Sequence, residues 1–229
     1  MSEWWTYTLS DFLLFSPRTY YRLIELYNAA VWPAQIVTAG LGLAILAFLR
    51  RASAVRGRLI AAVLAGCWLF VAIAFHAHRY ATINWAAVYF AWGFGLEAAL
   101  LIGTGVVRGR LVFGRPVDRA SRAGLWIFLF ALAIEPLAGP LLGRGWRQAE
   151  VFGVAPDPTA VATLGILLLA SGPGSRMLIV IPAVWCVISG ATLLAMKAPD
   201  AWVAPLAALV VAAVAISNAL ARRRFRAPN

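Results

Sequence analysis

Charged residues are scarce in this chain. Only 13% of its 229 residues are charged, while 62% are hydrophobic and the mean hydropathy is +0.82. Soluble domains carry about 25% charged and about 45–50% apolar residues. This composition excludes an ordinary soluble globular domain, and it indicates that most of the molecular surface faces lipid or other helices.

Cysteine, histidine and the common catalytic motifs are also scarce or missing. The two cysteines, Cys67 and Cys186, lie in apolar runs without CxxC spacing, which is typical of small buried hydrophobic residues and implies no disulfide framework. With two histidines close together, a haem held by histidines on facing helices is not expected. Walker, Rossmann, GxSxG and HExxH motifs are absent. We therefore predict no cofactor and no metal site, and an enzyme is the least favoured class.

The net charge of +11 does not point to nucleic acid. The twenty basic residues fall in short clusters between apolar runs, as the positive-inside rule of membrane proteins describes. Such clusters also attract anionic lipid headgroups. The lipid bilayer is therefore the predicted partner, and nucleic acid is not.

The apolar runs predict an all-α polytopic transmembrane bundle. A span needs about 20 residues to cross about 30 Å of hydrocarbon, and six of seven predicted spans reach that length. An interfacial segment (1–27) precedes the bundle (28–221), and a basic tail (222–229) follows it. The seven spans are Ala29–Leu49, Leu59–Ala77, Asn84–Val107, Gly124–Gly143, Pro158–Ser171, Met177–Met196 and Ala201–Ala221.

The loops predict an orientation, because basic residues collect on every second loop. Fourteen lie in the first, third and fifth loops and the tail, against six on the other side. Since cytoplasmic loops are enriched in Lys and Arg, we expect the N-terminus outside and the C-terminus inside.

The segment before the first span has the features of an interfacial helix. Ser16 followed by Pro17 is a helix-start signal. The aromatic and aliphatic residues that follow recur near helical spacing, which predicts a helix lying in the headgroup region. These residues are Tyr20, Tyr21, Leu23, Ile24 and Tyr27.

The fifth span is short, and its surroundings are irregular. Its predicted helix begins with Asp157 as N-cap and Pro158 as first residue. A non-helical stretch, Val151–Asp157, is expected to dip toward the membrane before it. Such backbone is tolerated only where protein or a water-filled cavity covers it.

Two acidic residues, Glu97 and Glu135, lie near the centres of the third and fourth spans, which are neighbours by connectivity. An acid at the bilayer centre costs about 2.5–3.5 kcal/mol on insertion scales. One interpretation is a proton- or cation-linked pair in a polar core used for transport. The other is a protonated or hydrogen-bonded acid that holds helices together.

Polar residues near the outer face are the remaining candidates for a functional site. Broken helices beside short spans are typical of transporter binding sites, and also of a cap that closes a bundle. The two histidines differ by two positions and so face different sides of a helix, which favours anchoring at the interface over shared ligation of a metal. The outer-mouth candidates are His76, His78, Arg79, Arg147, Gln148, Glu150 and Asp157.

Three stretches resemble a bacterial membrane family of unknown function, DUF6064. They are YNAAVWPAQ (Tyr27–Gln35), HAHRYATINW (His76–Trp85) and FGVAPDPTAVATLGILLL (Phe152–Leu169). The likeness extends over nearly the whole chain and implies a multi-pass protein of the bacterial inner (plasma) membrane. It implies no mechanism.

Three function hypotheses stay open from sequence. The first is a channel or secondary transporter for a small solute or ion, using the midplane carboxylates. The second is an accessory or assembly subunit that binds partners in a membrane complex or forms a homo-oligomer. The third is an intramembrane enzyme.

Overall fold

The computed structural model describes residues 13–172 and 174–224, and after residue 217 it describes the backbone alone. The described chain is a helical bundle, so the all-α prediction is confirmed. The helices are α1 (Pro17–Ala30), α2 (Ala34–Leu49), α3 (Ala54–Phe70), α4 (Ala87–Leu101), α5 (Arg119–Leu129), α6 (Glu135–Leu141), α7 (Pro156–Leu169), α8 (Val180–Ala195) and α9 (Val203–Arg224).

Several α-helices continue directly into a π-helical turn, and short 3₁₀ turns occur elsewhere in the chain. The π-helical turns are Val71–Ala77 after α3, Ile102–Val107 after α4, and Phe130–Ile134 between α5 and α6. The 3₁₀ turns are Tyr80–Thr82, Trp146–Gln148 and Met177–Ile179. A π turn inside an α-helix often marks a functional site, and one of these contains His76 while another directly precedes Glu135.

Within the described residues, four continuous segments are long and apolar enough to cross a membrane, or five if α1 and α2 form one bent span. The seven-span count and the orientation stay predictions. Helix α7 and the described apolar part of α9, Val203–Ser217, are shorter. The four long segments are Ala54–Thr82, Ala87–Val107, Arg119–Leu141 and Met177–Ala195.

The start of α1 confirms the helix-start signal. The Ser16 hydroxyl accepts a hydrogen bond from the Thr19 amide at 3.1 Å, and Pro17 occupies the first turn. The predicted start of the first span at Ala29 is wrong, because the helix is interrupted at Trp32–Pro33 and α2 turns 82° away from α1. Residues 1–12 of the predicted interfacial segment lie outside the described residues, and its place in an interface stays a prediction.

Helix α7 is the centre of the bundle. All of its 14 residues are buried except Leu168, which is half-buried. It packs against α3, α5, α8 and α9, and its contact with α5 is the most extensive among the described elements. A short helix enclosed in this way exposes almost no surface to its surroundings.

Alternate loops meet at two ends of the bundle. At the basic end (50–53, 108–118 and 170–176), the Arg115 Nε donates to the Arg50 carbonyl at 2.9 Å. Strand β1 (Val112–Phe113) pairs there with the antiparallel strand β2 (Ala170–Ser171). At the opposite end (78–86, 142–155 and 196–202), the fourth and sixth loops are joined by the Arg144–Asp200 ion pair. The loops therefore alternate between ends along the chain.

Candidate functional site

A small cavity at the end opposite the basic end is lined by five charged side chains. Its volume is about 20 Å³, which is enough for one water molecule since roughly 10–15 Å³ is required. Gly139, Leu193 and Ala204 form part of its walls. The charged residues that line it are Glu135, Arg144, Glu150, Asp157 and Asp200.

Glu135 reaches the cavity from an irregular point of its helix. It is the first residue of α6, directly after the π-helical turn Phe130–Ile134 and directly before Pro136. Only 8% of Glu135 is exposed, and its Oε2 atom has no hydrogen-bond partner among the described residues. A buried polar atom without a partner costs free energy, so this carboxyl group is ready to accept a ligand or a proton.

Asp157 is held by α8, and its predicted role as an N-cap is wrong. Helix α7 begins two residues earlier than predicted, at Pro156, with Ala155 as the cap. The Asp157 carboxylate instead accepts hydrogen bonds from the Trp185 indole at 2.8 Å and from the Ser189 hydroxyl. The side chain is turned sideways into the bundle because these two donors of α8 fix it there.

The stretch before α7 runs through the protein interior without helical structure. Phe152 and Val154 are fully buried. The Tyr27 hydroxyl donates to the Val154 carbonyl at 3.0 Å. The Thr159 hydroxyl accepts from the Gly153 amide at 2.9 Å and donates to the Ala155 carbonyl at 2.6 Å. These bonds satisfy backbone groups that burial would otherwise leave without partners.

Arg144 and Asp200 form a mostly buried ion pair that the sequence reasoning missed. The side chains are 16% and 12% exposed. The Arg144 guanidinium carbon also lies 4.7 Å from the centre of the Tyr21 ring, within range of a cation–π interaction. The sequence did contain a signal for this pair. An arginine lies in the fourth loop and an aspartate in the sixth, and the predicted topology places these two loops on the same side.

The cavity contains four carboxyl groups and one guanidinium group. Burial raises the pKa of Glu150, and the nearby Asp157 carboxyl raises it further. Arg144 Nη1 and Asp200 Oδ1 are buried and, like Glu135 Oε2, have no partner among the described residues. The site therefore combines an excess of acidic groups with buried oxygen atoms that can accept hydrogen bonds.

The comparison with known families agrees with the motif resemblance. Residues 18–226 match the model of a family of unknown function, DUF6064. The chain belongs to this family. No curated protein and no solved structure matches it.

In this DUF6064 protein, Glu97 lies apart from the acidic cavity. Its helix α4 packs mainly against α3 and α8, while α7 packs between α5 and those helices. The expectation that the third and fourth spans are neighbours is therefore wrong. Glu97 is 0% exposed, and neither carboxyl oxygen has a partner within residues 13–172 and 174–224. It is a second, separate buried acid.

The two histidines face different environments, as their spacing predicts, but His76 is not the interfacial anchor that the sequence favoured. His78 and Arg79 are exposed, whereas His76 is 0% exposed. The His76 ring centre lies 4.5 Å from that of Phe94 and 4.9 Å from that of Trp185, whose indole binds Asp157. Neither His76 nitrogen has a partner in the described part of the chain. His76 thus belongs to the aromatic core beside the acidic cavity.

Arg147 and Gln148, the other outer-mouth candidates, do not line the acidic cavity. Arg147 is exposed and Gln148 is half-buried in the same 3₁₀ turn. The Asn28 side-chain amide donates to the carbonyls of Arg147 and Ala149, both at 2.9 Å. Among the described residues, no group of three or more histidine, cysteine, aspartate or glutamate side chains is arranged to hold a metal ion.

Proposed function

We propose that this DUF6064 protein is a multi-pass protein of the bacterial inner membrane that transports protons, alone or coupled to a small solute. The acidic cavity is its proton-binding site. The observation that carries the proposal is that four carboxyl groups share a cavity of about 20 Å³ with a single guanidinium group.

The charge balance supports a proton as the ligand. If all four carboxyl groups were ionised, three negative charges would lack a counter-charge in a cavity with room for one water molecule. Like charges held close together cannot all stay ionised when burial removes water from them. Protonation of one or more acids relieves this repulsion, and acidic groups inside membrane bundles commonly form proton relays.

The arrangement of the loops supports the membrane topology in this proposal. Four segments, or five with the bent pair, have the length and apolar composition of spans. Alternate loops meet at opposite ends, and the arginines of the first, third and fifth loops are at the basic end. We therefore place the basic end inside and the acidic cavity toward the outside. A chain that crosses the membrane seven times would place its loops on alternate sides in this way.

A route from the cavity toward the inside passes along the aromatic core. Trp185 connects Asp157 to His76 and Phe94, and Glu97 lies one helical turn beyond Phe94 on α4. His76 and Glu97 are both buried without a hydrogen-bond partner among the described residues, so both are groups in this direction able to hold a proton. The cavity, His76 and Glu97 are the proton-binding positions of this proposal.

Flux measurements test the proposal. The purified chain is placed in liposomes with an enclosed pH-sensitive dye, and an outward pH step is applied. We expect Glu135→Gln and Asp157→Asn to reduce proton flux to that of protein-free liposomes, because neither amide can release a proton. Glu25→Gln, in the ion pair of the exposed Arg22 with the half-buried Glu25, is the matched control and should retain the flux of the unmodified chain.

Two results would contradict the proposal. One is unchanged proton flux in both cavity variants when each elutes and unfolds like the unmodified chain. The other is uptake of radioactive sodium that depends on Glu135 and Asp157 without any proton flux, which would assign the cavity to a metal cation.

A further inference from the structure

A second, larger cavity lies at the basic end and is not part of the proposed proton site. Its volume is about 750 Å³, within the roughly 300–1,000 Å³ typical of small-molecule sites. The third and fifth loops and the start of α5 form its polar side, with Arg115, Ser121, Ser175 and Arg176. Leu168 and Ala215, from α7 and α9, form its apolar side.

The charges around this cavity favour an anion. Arg115 and Arg176 line it, and the bond from the Arg115 Nε to the Arg50 carbonyl anchors that side chain. Asp118 is the acidic group that faces the cavity. Hydrogen bonds from the Ser121 hydroxyl and amide, at 2.6 and 2.7 Å, hold the pKa of Asp118 below its usual value. These hydrogen bonds hold the Asp118 carboxylate against the N-terminus of α5, which Asp118 caps.

An apolar groove follows the same pair of helices away from the basic end. It lies between the α5–α6 segment and α9, and its volume is about 760 Å³. Trp126, Phe130 and Ile134 line one side, and Leu206 and Val210 line the other. Helices α5 and α9 also line the basic-end cavity, through Ser121 and Ala215. A polar, basic cavity and an apolar groove thus occupy successive parts of one seam.

The dimensions of the seam fit a phospholipid. From Ser121 to Ile134 the helical rise is about 20 Å at 1.5 Å per residue, which exceeds the roughly 15 Å depth of one hydrocarbon leaflet. A free inorganic anion would use the cavity and leave the groove empty, whereas a phospholipid fills both. Basic pockets between helices on the cytoplasmic side are known to bind anionic headgroups.

We infer that the seam between α5 and α9 binds an anionic phospholipid. Its phosphate lies between Arg115 and Arg176, and one acyl chain lies in the groove lined by Trp126, Phe130 and Leu206. This lipid site does not depend on proton transport, and binding can be measured without any flux.

Native mass spectrometry of the detergent-solubilised chain tests the headgroup. After lipid removal, the chain is incubated with equal amounts of phosphatidylglycerol and phosphatidylcholine. We expect the unmodified chain to retain phosphatidylglycerol in preference, and Arg115→Gln and Arg176→Gln each to reduce that retention about fivefold, as expected for one lost basic contact at a membrane surface. Arg56→Gln is the control, since Arg56 is half-buried at the same end and does not line the cavity.

A second pair of variants tests the groove. Ala133 is exposed and lines the groove, so Ala133→Trp should fill the space of the acyl chain and lower retention of phosphatidylglycerol. Ala99→Trp, on the exposed side of α4, adds the same side chain elsewhere and should have no effect. The site is overturned if Arg56→Gln weakens retention as much as the two cavity variants. It is also overturned if Ala133→Trp is neutral while inorganic phosphate raises the unfolding temperature as much as phosphatidylglycerol does.

Discussion

Gly165→Ala is expected to destabilise the bundle by about 3 kcal/mol, near the upper end of the usual cost of overpacking a core. Gly165 of α7 faces Gly124 of α5 at the closest approach of the two helices. A Cβ atom added at Gly165 would lie 2.7 Å from the Gly124 carbonyl oxygen and 2.8 Å from the Phe128 amide nitrogen. Both are backbone atoms, so relief requires that the helices move apart.

Gly66→Ala is the matched control for this prediction. Gly66 is also helical, and nothing lies within 4 Å of an added Cβ atom there. Alanine should therefore stabilise α3 by about 0.5–1 kcal/mol through its lower conformational freedom in the unfolded chain. Unfolding of both variants in detergent, followed by circular dichroism against added SDS, gives the two free energies. A Gly165→Ala variant as stable as Gly66→Ala would show that α5 and α7 are not in contact at this position.

Arg144→Gln is expected to cost about 3–5 kcal/mol, as for other buried ion pairs that lose one partner. Arg144 is the cavity's single guanidinium group, and it binds Asp200 and the Tyr21 ring. Glutamine leaves Asp200 without its counter-charge beside three further acids. The loss should be read from the midpoint of thermal unfolding.

Two comparison variants isolate the charge effect. Arg22→Gln removes the cation of the Arg22–Glu25 pair, whose arginine is 60% exposed, and such surface pairs contribute about 0–1 kcal/mol. The double variant Arg144→Gln with Asp200→Asn should recover part of the lost stability, because the uncompensated charge is removed as well. A double variant less stable than Arg144→Gln alone would indicate that Asp200 stabilises the fold independently of Arg144.

Local features of the fold were accessible from sequence. The start of α1 at Ser16–Pro17 depends on one hydrogen bond between residues three positions apart, so the residue types alone predict it. The opposite environments of His76 and His78 follow from helical periodicity. The shortness of α7 and the irregular stretch before it could be read from prolines and glycines at its borders.

Features that depend on packing between distant segments were not accessible. The order of helices along the chain suggested that the helices of Glu97 and Glu135 are neighbours, but α7 packs against both α3 and α5 instead. The Asp157 carboxylate could have capped its own helix, and only the position of Trp185 and Ser189 on α8 directs it elsewhere. The Arg144–Asp200 pair joins residues 56 positions apart. Helix rotation and loop conformation decide such contacts, and neither is encoded in local spacing.

The burial of α7 on all sides bears on how the proposed membrane protein is made. Its 14 residues rise about 21 Å, which is less than the hydrocarbon thickness, and its neighbours α8 and α9 are synthesised after it. A helix of this length does not cross the hydrocarbon by itself. We therefore expect α7 to reach its buried position only after α8 and α9 have been synthesised and can pack around it.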